Sequence, residues 1–278
     1  MAVGSENEYL NINPQMSFFK MVFKRYTNFS MEFIRINLNG PNQLHHDNNI
    51  KLSCKIDRNG DLIYNSFFVF NLPDIYSGYD PETNVSYKFN WIEEIGNFII
   101  SQTSINIGGS TIDKQYGEWM SIWAQLNIDN DKRQSYDKLI GNTLELIDPE
   151  NLPGNNGFYP TSTLDENLTT DPELSSISYV DILNPYEKSC SIKGRTIYVP
   201  LSFWFCNNSG LALPLISLQY HDIIFEIELK PVNSLFTIIE TDINDPLFGQ
   251  RIKPTSLKNN QNINNFLFNG NNNNSIFW

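Results

Sequence analysis

Residues 201–229 read LSFWFCNNSGLALPLISLQYHDIIFEIEL and hold parts of two strand patterns joined by an apolar link. In the first pattern, residues 197–205, every odd position is apolar, so these side chains point to one side of an extended strand. Burying that row contributes on the order of 10 kcal/mol before the loss of chain entropy is subtracted. We therefore predict that Phe203 and Phe205 belong to the core and not to a binding surface.

The second strand pattern covers residues 219–229. Its apolar positions, among them Ile223 and Phe225, alternate with polar and acidic ones, which predicts one buried face and one solvated face. Between the two strands, turn residues and Pro214 interrupt any long helix. Residues 211–218 are therefore interpreted as a short apolar connection packed on the sheets.

Short strands also dominate the rest of the chain. Further strand patterns occupy residues 29–38, 49–56, 62–72 and 98–107. The Asn59-Gly60 pair is typical of a β-hairpin turn. Aromatic residues at helical spacing predict one helix over 113–126, with Asp113 as its N-cap. Residues 148–185, rich in Pro, Asn, Ser and acidic residues, predict a long surface loop. The pattern favours an all-β fold, a jelly-roll β-sandwich with a short helix and long loops.

The composition of the 278-residue chain argues against several classes of protein. Its net charge of -12 does not suit a nucleic-acid partner, because phosphate binding needs clustered Lys and Arg. The three cysteines lack C-x-x-C spacing, so neither a zinc site nor a disulfide framework is indicated. Without a signal peptide or a long apolar run, we expect neither conventional secretion nor a membrane span.

Residues that suggest chemistry are few and isolated. His45-His46-Asp47 contains metal-ligand types but has no partner cluster, so we predict no metal site. Glu93-Glu94 is a poor glycosidase pair, because adjacent residues on a strand point apart. Trp91, Trp119 and Trp123 suit either sugar stacking or a core, and helical spacing favours the core. We therefore expect no enzyme activity and no cofactor.

Five blocks of the sequence carry a family resemblance. They are residues 13–33 (NPQMSFFKMVFKRYTNFSMEF), 56–63 (IDRNGDLI), 71–73 (NLP), 107–126 (IGGSTIDKQYGEWMSIWAQL) and 199–223 (VPLSFWFCNNSGLALPLISLQYHDI). In this order they resemble the major capsid proteins of the nucleocytoplasmic large DNA viruses, which include the iridovirus, phycodnavirus and mimivirus groups. The resemblance covers residues 13 to 223.

The resemblance implies a structural capsid protein with two jelly rolls, of which this chain holds the first. Three copies would form a pseudo-hexagonal capsomer, and neighbouring capsomers would tile an icosahedral virion shell over an internal membrane, assembled in the host cytoplasm. Residues 201–229 would then be the closing strand pair of the first jelly roll. Because the second jelly roll is missing, we expect a fragment, a split-gene product or a shortened paralogue.

The same resemblance divides the chain into three parts. Residues 1–27 would form an N-terminal arm at the capsomer base, residues 28–231 the jelly-roll domain, and residues 232–278 an inter-domain connection or Asn-rich tail. The arm would face minor capsid proteins or the internal membrane through Phe18, Phe19, Lys20, Phe23 and Arg25. Apolar residues mixed with cations suit acidic lipid head groups. An ordinary edge segment under the sandwich is the alternative.

A second function class remains open beside the capsid protein. A jelly-roll carbohydrate-binding or glycan-processing protein would need a concave sheet face with exposed aromatic residues and paired carboxylates. The structural virion protein is the interpretation we favour.

Overall fold

The computed structural model describes residues 28–80, 82–161 and 190–267, and the chain divides into two compact units, Met1–Ile36 and Asn37–Trp278. In the first unit, the described residues 28–36 form neither a helix nor a strand. The strand predicted for 29–38 is therefore wrong. A strand needs a hydrogen-bonded neighbour, and the ladder begins only at Asn39, which makes an isolated bridge to Ser53.

The second unit consists mostly of β-strands. The strands are β1 (Ile50–Lys55), β2 (Leu62–Ile63), β3 (Phe67–Leu72), β4 (Asn90–Trp91), β5 (Ile100–Ile107), β6 (Ser110–Gln115), β7 (Arg195–Pro200), β8 (Leu213–Pro214), β9 (Ile223–Leu229), β10 (Phe236–Ile239) and β11 (Arg251–Ile252). The α-helices are α1 (Ile95–Phe98), α2 (Gly117–Asn127), α3 (Asn130–Ile140) and α4 (Leu144–Ile147). No helix among the described residues is long and apolar enough to cross a bilayer. The β-rich architecture is confirmed, with more helix than predicted.

The strands form one four-stranded sheet and three smaller ones. The orders are β1-β9-β5-β6, β11-β10-β4, β3-β7 and β2-β8, and all the pairs are antiparallel. Strand β9 is central, since Leu229 pairs with Ile50 of β1 and Ile223 pairs with Ile107 of β5. Its side chains alternate between buried and more accessible, so the predicted inward face is confirmed, although the strand begins at Ile223.

Buried residues of the four-stranded sheet and of the β3-β7 sheet belong to one apolar core. Phe70 of β3 and Ile197 of β7 are fully buried and belong to the same apolar cluster as Phe225 of β9. Strand β7 ends at Pro200; the N–H of Leu201 still donates to the carbonyl of Ser66, but residues 201–203 belong to no strand. The prediction of one strand over 197–205 is therefore wrong in its second half.

The link between β7 and β9 crosses from one sheet to the other. Strand β7 pairs with β3, whereas β9 pairs with β1 and β5, so residues 201–229 are not a mutually paired closing strand pair. The connection contains its own strand, β8, in which Pro214 lies opposite Leu62. Because β2 is paired with β8 and β1 with β9, the predicted Asn59-Gly60 hairpin is also wrong.

Strand β6 replaces the start of the predicted helix, and a tight turn precedes it. Gly108 and Gly109 both have positive φ, 59° and 85°, which matches the two-residue turn that favours glycine. This turn pairs β6 with β5, so the segment around Asp113 is a strand and not a helix start. The helix begins at Gly117, and Asp113 is not its cap.

Candidate functional site

An apolar row lies on the outer face of α2. Trp119, Ile122 and Leu126 are 42%, 50% and 74% exposed, and their spacing of three and four places them on one side of the helix. The ring of Trp123 lies 5.8 Å from that of Trp119. We call these four residues the α2 stripe. Exposed apolar residues grouped in this way mark an interaction surface more often than isolated ones do.

The other face of α2 is buried in the fold. Met120 and Ala124 are buried. A Cβ at Gly117 would lie 2.2 Å from the carbonyl oxygen of Asn97 and 2.5 Å from that of Ile100. Only glycine permits this approach, which holds the Gly117 side of the helix against the fold and leaves Trp119, Ile122 and Leu126 on the outer face.

The α2 stripe carries no uncompensated charge from its own helix. Glu118 is the only charged residue of α2, and its Oε1 lies 2.8 Å from Nζ of Lys230. The hydrogen bond from Lys230 holds the pKa of Glu118 below its usual value. Lys230 also lies 5.6 Å over the ring of Phe98. The outer face of α2 is thus suited to an apolar partner.

A second group of exposed apolar residues lies where β2 meets β8. The apolar residues of the link from β7 to β9 are of two kinds. Leu213 and Leu215 are buried, while others face outward. The exposed residues of the link are Leu211, Ile216 and Tyr220, and Leu62 on β2 is exposed as well. We call these four residues the β2–β8 tip. The apolar link therefore serves both the core and the surface.

The residues predicted for the core of the two strand patterns meet inside the fold. Phe203 stacks on Phe225 with ring centroids 5.5 Å apart, and Phe205 lies 5.7 Å from Phe203. Phe203 and Phe205 are fully buried, and Ile223 is only 4% exposed. Phe203 reaches its place from an extended segment, and Phe205 from the 3-10 turn Trp204–Cys206. The predicted arm residues Phe18, Phe19, Lys20, Phe23 and Arg25 lie outside the described residues.

His45 and Glu94, two of the residues that suggested chemistry, make structural contacts. The backbone N–H of Asp47 donates to Nδ1 of His45, and across the described ranges no three His, Cys, Asp or Glu side chains are grouped for a metal. Glu94 accepts a hydrogen bond from Asn97 at 3.0 Å and lies 3.6 Å from Arg133. These contacts tie α1 to α3 and do not assemble a catalytic pair.

The buried thiols are held in their neutral form. Burial raises the pKa of Cys54, and it raises the pKa of Cys206 to about 11. Because the thiolate is the nucleophilic form, both side chains are poorly reactive near neutral pH.

The tryptophans have two different environments. Trp91 is buried against Phe89 and Phe236, which agrees with the predicted core role. Trp119 is exposed, so its predicted core role is wrong, because Gly117, Met120 and Ala124 form the buried face of α2. The sequence signal for this surface was a second apolar row at helical spacing, which includes Ile122. Trp119 lies on a convex helix, unlike the concave sheet face that a carbohydrate site would need.

Comparisons with known proteins agree on one family. A family model described as the N-terminus of the major capsid protein matches residues 17–268. The chain is 35% identical over 236 residues to the major capsid protein of Phaeocystis pouchetii virus, covering 84% of this chain and 40% of the relative. It is 34% identical over 240 residues to probable capsid protein 4 of Acanthamoeba polyphaga mimivirus, covering 86% and 38%. The chain thus spans about two-fifths of the length of these relatives. They lend no support to the carbohydrate-binding alternative.

Solved structures include similar chains. A chain of the PBCV-1 virus capsid is 27% identical, with a TM-score of 0.48, covering 77% of this chain and 38% of that one. The Faustovirus major capsid protein is 12% identical, with a TM-score of 0.43 and coverages of 80% and 46%.

Proposed function

This chain belongs to the family of major capsid proteins of large DNA viruses, and on that premise we propose that it is a structural subunit of a virion shell. Copies of the chain associate as homotrimers, and the trimers pack against one another as capsomers of an icosahedral capsid assembled in the host cytoplasm. In this role the surface of the protein, and not a catalytic centre, performs the function.

The α2 stripe is the observation that carries self-association. An apolar row rich in tryptophan, on a helix seated by close backbone contact, is the type of surface that supplies most of the binding energy at protein interfaces. The pairing of Glu118 with Lys230 compensates the one charge on this helix, so neither charge is left unpaired when the face is covered. We place the stripe at the contact between copies.

We propose that residues 28–231 form a jelly roll, the first of two in a longer capsid protein. Antiparallel sheets whose buried residues share one apolar core support this assignment. Residues 232–278 contain the connection to the second jelly roll. Part of the connection packs on the first domain, since Phe236 and Phe266 lie 4.6 Å and 5.3 Å from the ring of Phe89.

The arm, residues 1–27, is proposed to face minor capsid proteins or the internal membrane. The support is its composition, in which Phe18, Phe19 and Phe23 lie close in sequence to Lys20 and Arg25. Phenylalanine suits the apolar boundary of a bilayer or a partner groove, and the cations suit acidic head groups.

Two measurements test the capsid role. Mass spectrometry of purified particles should find peptides of this chain in abundance, and their absence would refute the role. Light scattering of the 278-residue chain across a dilution series should show concentration-dependent trimers, because the apolar contact area is exposed in the single chain. Strictly monomeric behaviour would refute self-association through this part of the protein.

A further inference from the structure

Residues 29–36 carry a strand pattern but belong to no sheet among the described residues. Phe29, Met31 and Phe33 alternate with polar residues, so an extended backbone places these three side chains on one side. They are 74%, 73% and 82% exposed. Water therefore surrounds a row of apolar side chains of the kind that normally covers one face of a sheet.

What this segment lacks is a neighbouring strand. Residues 28–38 contain no proline or glycine, and the aromatic and β-branched residues among them favour strands. The first described ladder contact of the chain is the bridge between Asn39 and Ser53, in which each N–H donates to the carbonyl of the other residue, at 2.7 and 3.0 Å. The composition of the segment therefore suits a strand that forms once an edge is offered to it.

The two main sheets of the described structure are unequal. One has four strands, β1-β9-β5-β6, and the other has two, β3-β7. These six strands have six or more residues each, and the remaining described strands have two to four. A jelly roll has eight strands in two sheets. With residues 29–36 as a seventh strand, one more is needed, and the two-stranded sheet is the one that is short of strands.

A later segment of a longer protein can supply the eighth strand. The chain spans about two-fifths of the length of its relatives, and the family model that matches it describes an N-terminus. In a protein of that length, more sequence follows this part than lies within it. A strand from the same chain is held near its partner at a high effective concentration, whereas a strand from another molecule must be captured from solution.

Resting on the two-jelly-roll capsid protein proposed above, we infer that a strand that follows residue 278 in the longer protein pairs with residues 29–36. The same strand extends the β3-β7 sheet, so that this sheet also reaches four strands and residues 29–36 form its outer strand. The first jelly roll is thus completed by a segment that comes after its other seven strands. This pairing ties the first domain to the part of the chain that continues into the second.

The sheet that receives the strand defines the sequence pattern of that strand. Phe68, Phe70 and Leu72 of β3 are buried, whereas Phe67 and Val69 on its other face are 39% and 38% exposed. An added strand must therefore present an apolar residue to the core at every second position. A longer product without such a row after residue 278 would contradict the inference.

Hydrogen exchange measured by mass spectrometry tests the inference on two proteins, the 278-residue chain and the intact product isolated from particles. Amides of residues 29–36 should exchange rapidly in the 278-residue chain. They should exchange at least about 100-fold more slowly in the intact product, because ladder hydrogen bonds protect amides. Amides of β9 are the internal control and should be protected in both proteins.

Proline substitutions in the intact product distinguish strand pairing from side-chain packing. Successive N–H groups of a strand point to opposite edges, so either Met31 or Glu32 must direct its N–H at the new strand. At least one of Met31→Pro and Glu32→Pro should therefore remove the protection of residues 29–36. Met31→Thr and Glu32→Thr are the matched controls and should keep it, because threonine retains the N–H and favours strands.

Three results would overturn the inference. Slow exchange of residues 29–36 in the 278-residue chain would place the partner strand within that chain. Rapid exchange of the same residues in the intact product would show that no strand pairs with them. A product that ends at Trp278, with the segment protected only inside particles, would assign the strand to another molecule. Each result leaves the capsid role standing, since that role depends on the presence of the protein in particles.

Discussion

The substitution Gly117→Ala tests whether close backbone contact seats α2. The added Cβ would lie 2.2 Å from the carbonyl oxygen of Asn97 and 2.5 Å from that of Ile100, whereas real Cβ contacts essentially never fall below 3.0 Å. The helix must therefore move by about 0.8 Å, the difference between 3.0 and 2.2 Å, and both obstructing atoms are backbone. Overpacking of this kind costs up to about 3 kcal/mol. The preference of helices for alanine returns about 1 kcal/mol. We expect a net loss of about 2 kcal/mol.

Urea unfolding followed by tryptophan fluorescence measures this loss as a lower midpoint with an unchanged slope. Gly60→Ala is the control, because nothing lies within 4 Å of a Cβ placed there. The control should stay within about 0.5 kcal/mol of the wild type. Equal midpoints for Gly117→Ala and Gly60→Ala would refute the argument that glycine is required at the start of α2.

Two further predictions concern the core. Phe225→Ala removes the ring on which Phe203 stacks and should lower the free energy of unfolding by about 3–5 kcal/mol, whereas Glu226→Ala on the exposed side of β9 should change it little; similar urea midpoints for both would contradict the core assignment. Burial raises the pKa of Cys206 from 9.0 to about 11, so above pH 9 the unfolded chain loses this proton first, and stability should fall as pH rises towards 11. Cys206→Ala should show a smaller fall in the urea midpoint over that range. An identical fall would refute the attribution of the pH dependence to the Cys206 thiol.

The sequence predicted side-chain faces better than element boundaries. In β9 the alternation of Ile223 and Phe225 with polar residues fixed the inward face correctly, because a shift of one residue would bury acidic side chains. The same alternation correctly predicted that the side chain of Ile197 on β7 is buried. It failed beyond Pro200, since Phe203 and Phe205 are buried without continuing the strand. Alternation of apolar residues predicts which side chains are buried. It does not predict whether the backbone that carries them is paired with a neighbouring strand.

The start of α2 could not be read from local spacing. A helical pattern and a strand pattern overlap near Asp113, and the choice depends on pairing with β5 after the Gly108-Gly109 turn. The orientation of the helix depends on a distant contact as well. Helical spacing is shared by Met120, which faces the core, and Ile122, which faces outward. Only the approach of Gly117 to backbone carbonyls decides between the two faces.

The segment from Gly108 to Leu126 combines two kinds of requirement. The fold of the single chain explains both glycines. Gly108 occupies a turn with positive φ, and Gly117 lies close to backbone carbonyls. Trp119, Ile122 and Leu126 have no such reason, because the folded chain leaves them largely in water, where burial would be favourable by roughly 25 cal/mol for each Å² covered. Polar residues there would serve an isolated chain better. The apolar stripe therefore reflects a demand from outside the fold, and the self-association proposed above would meet it.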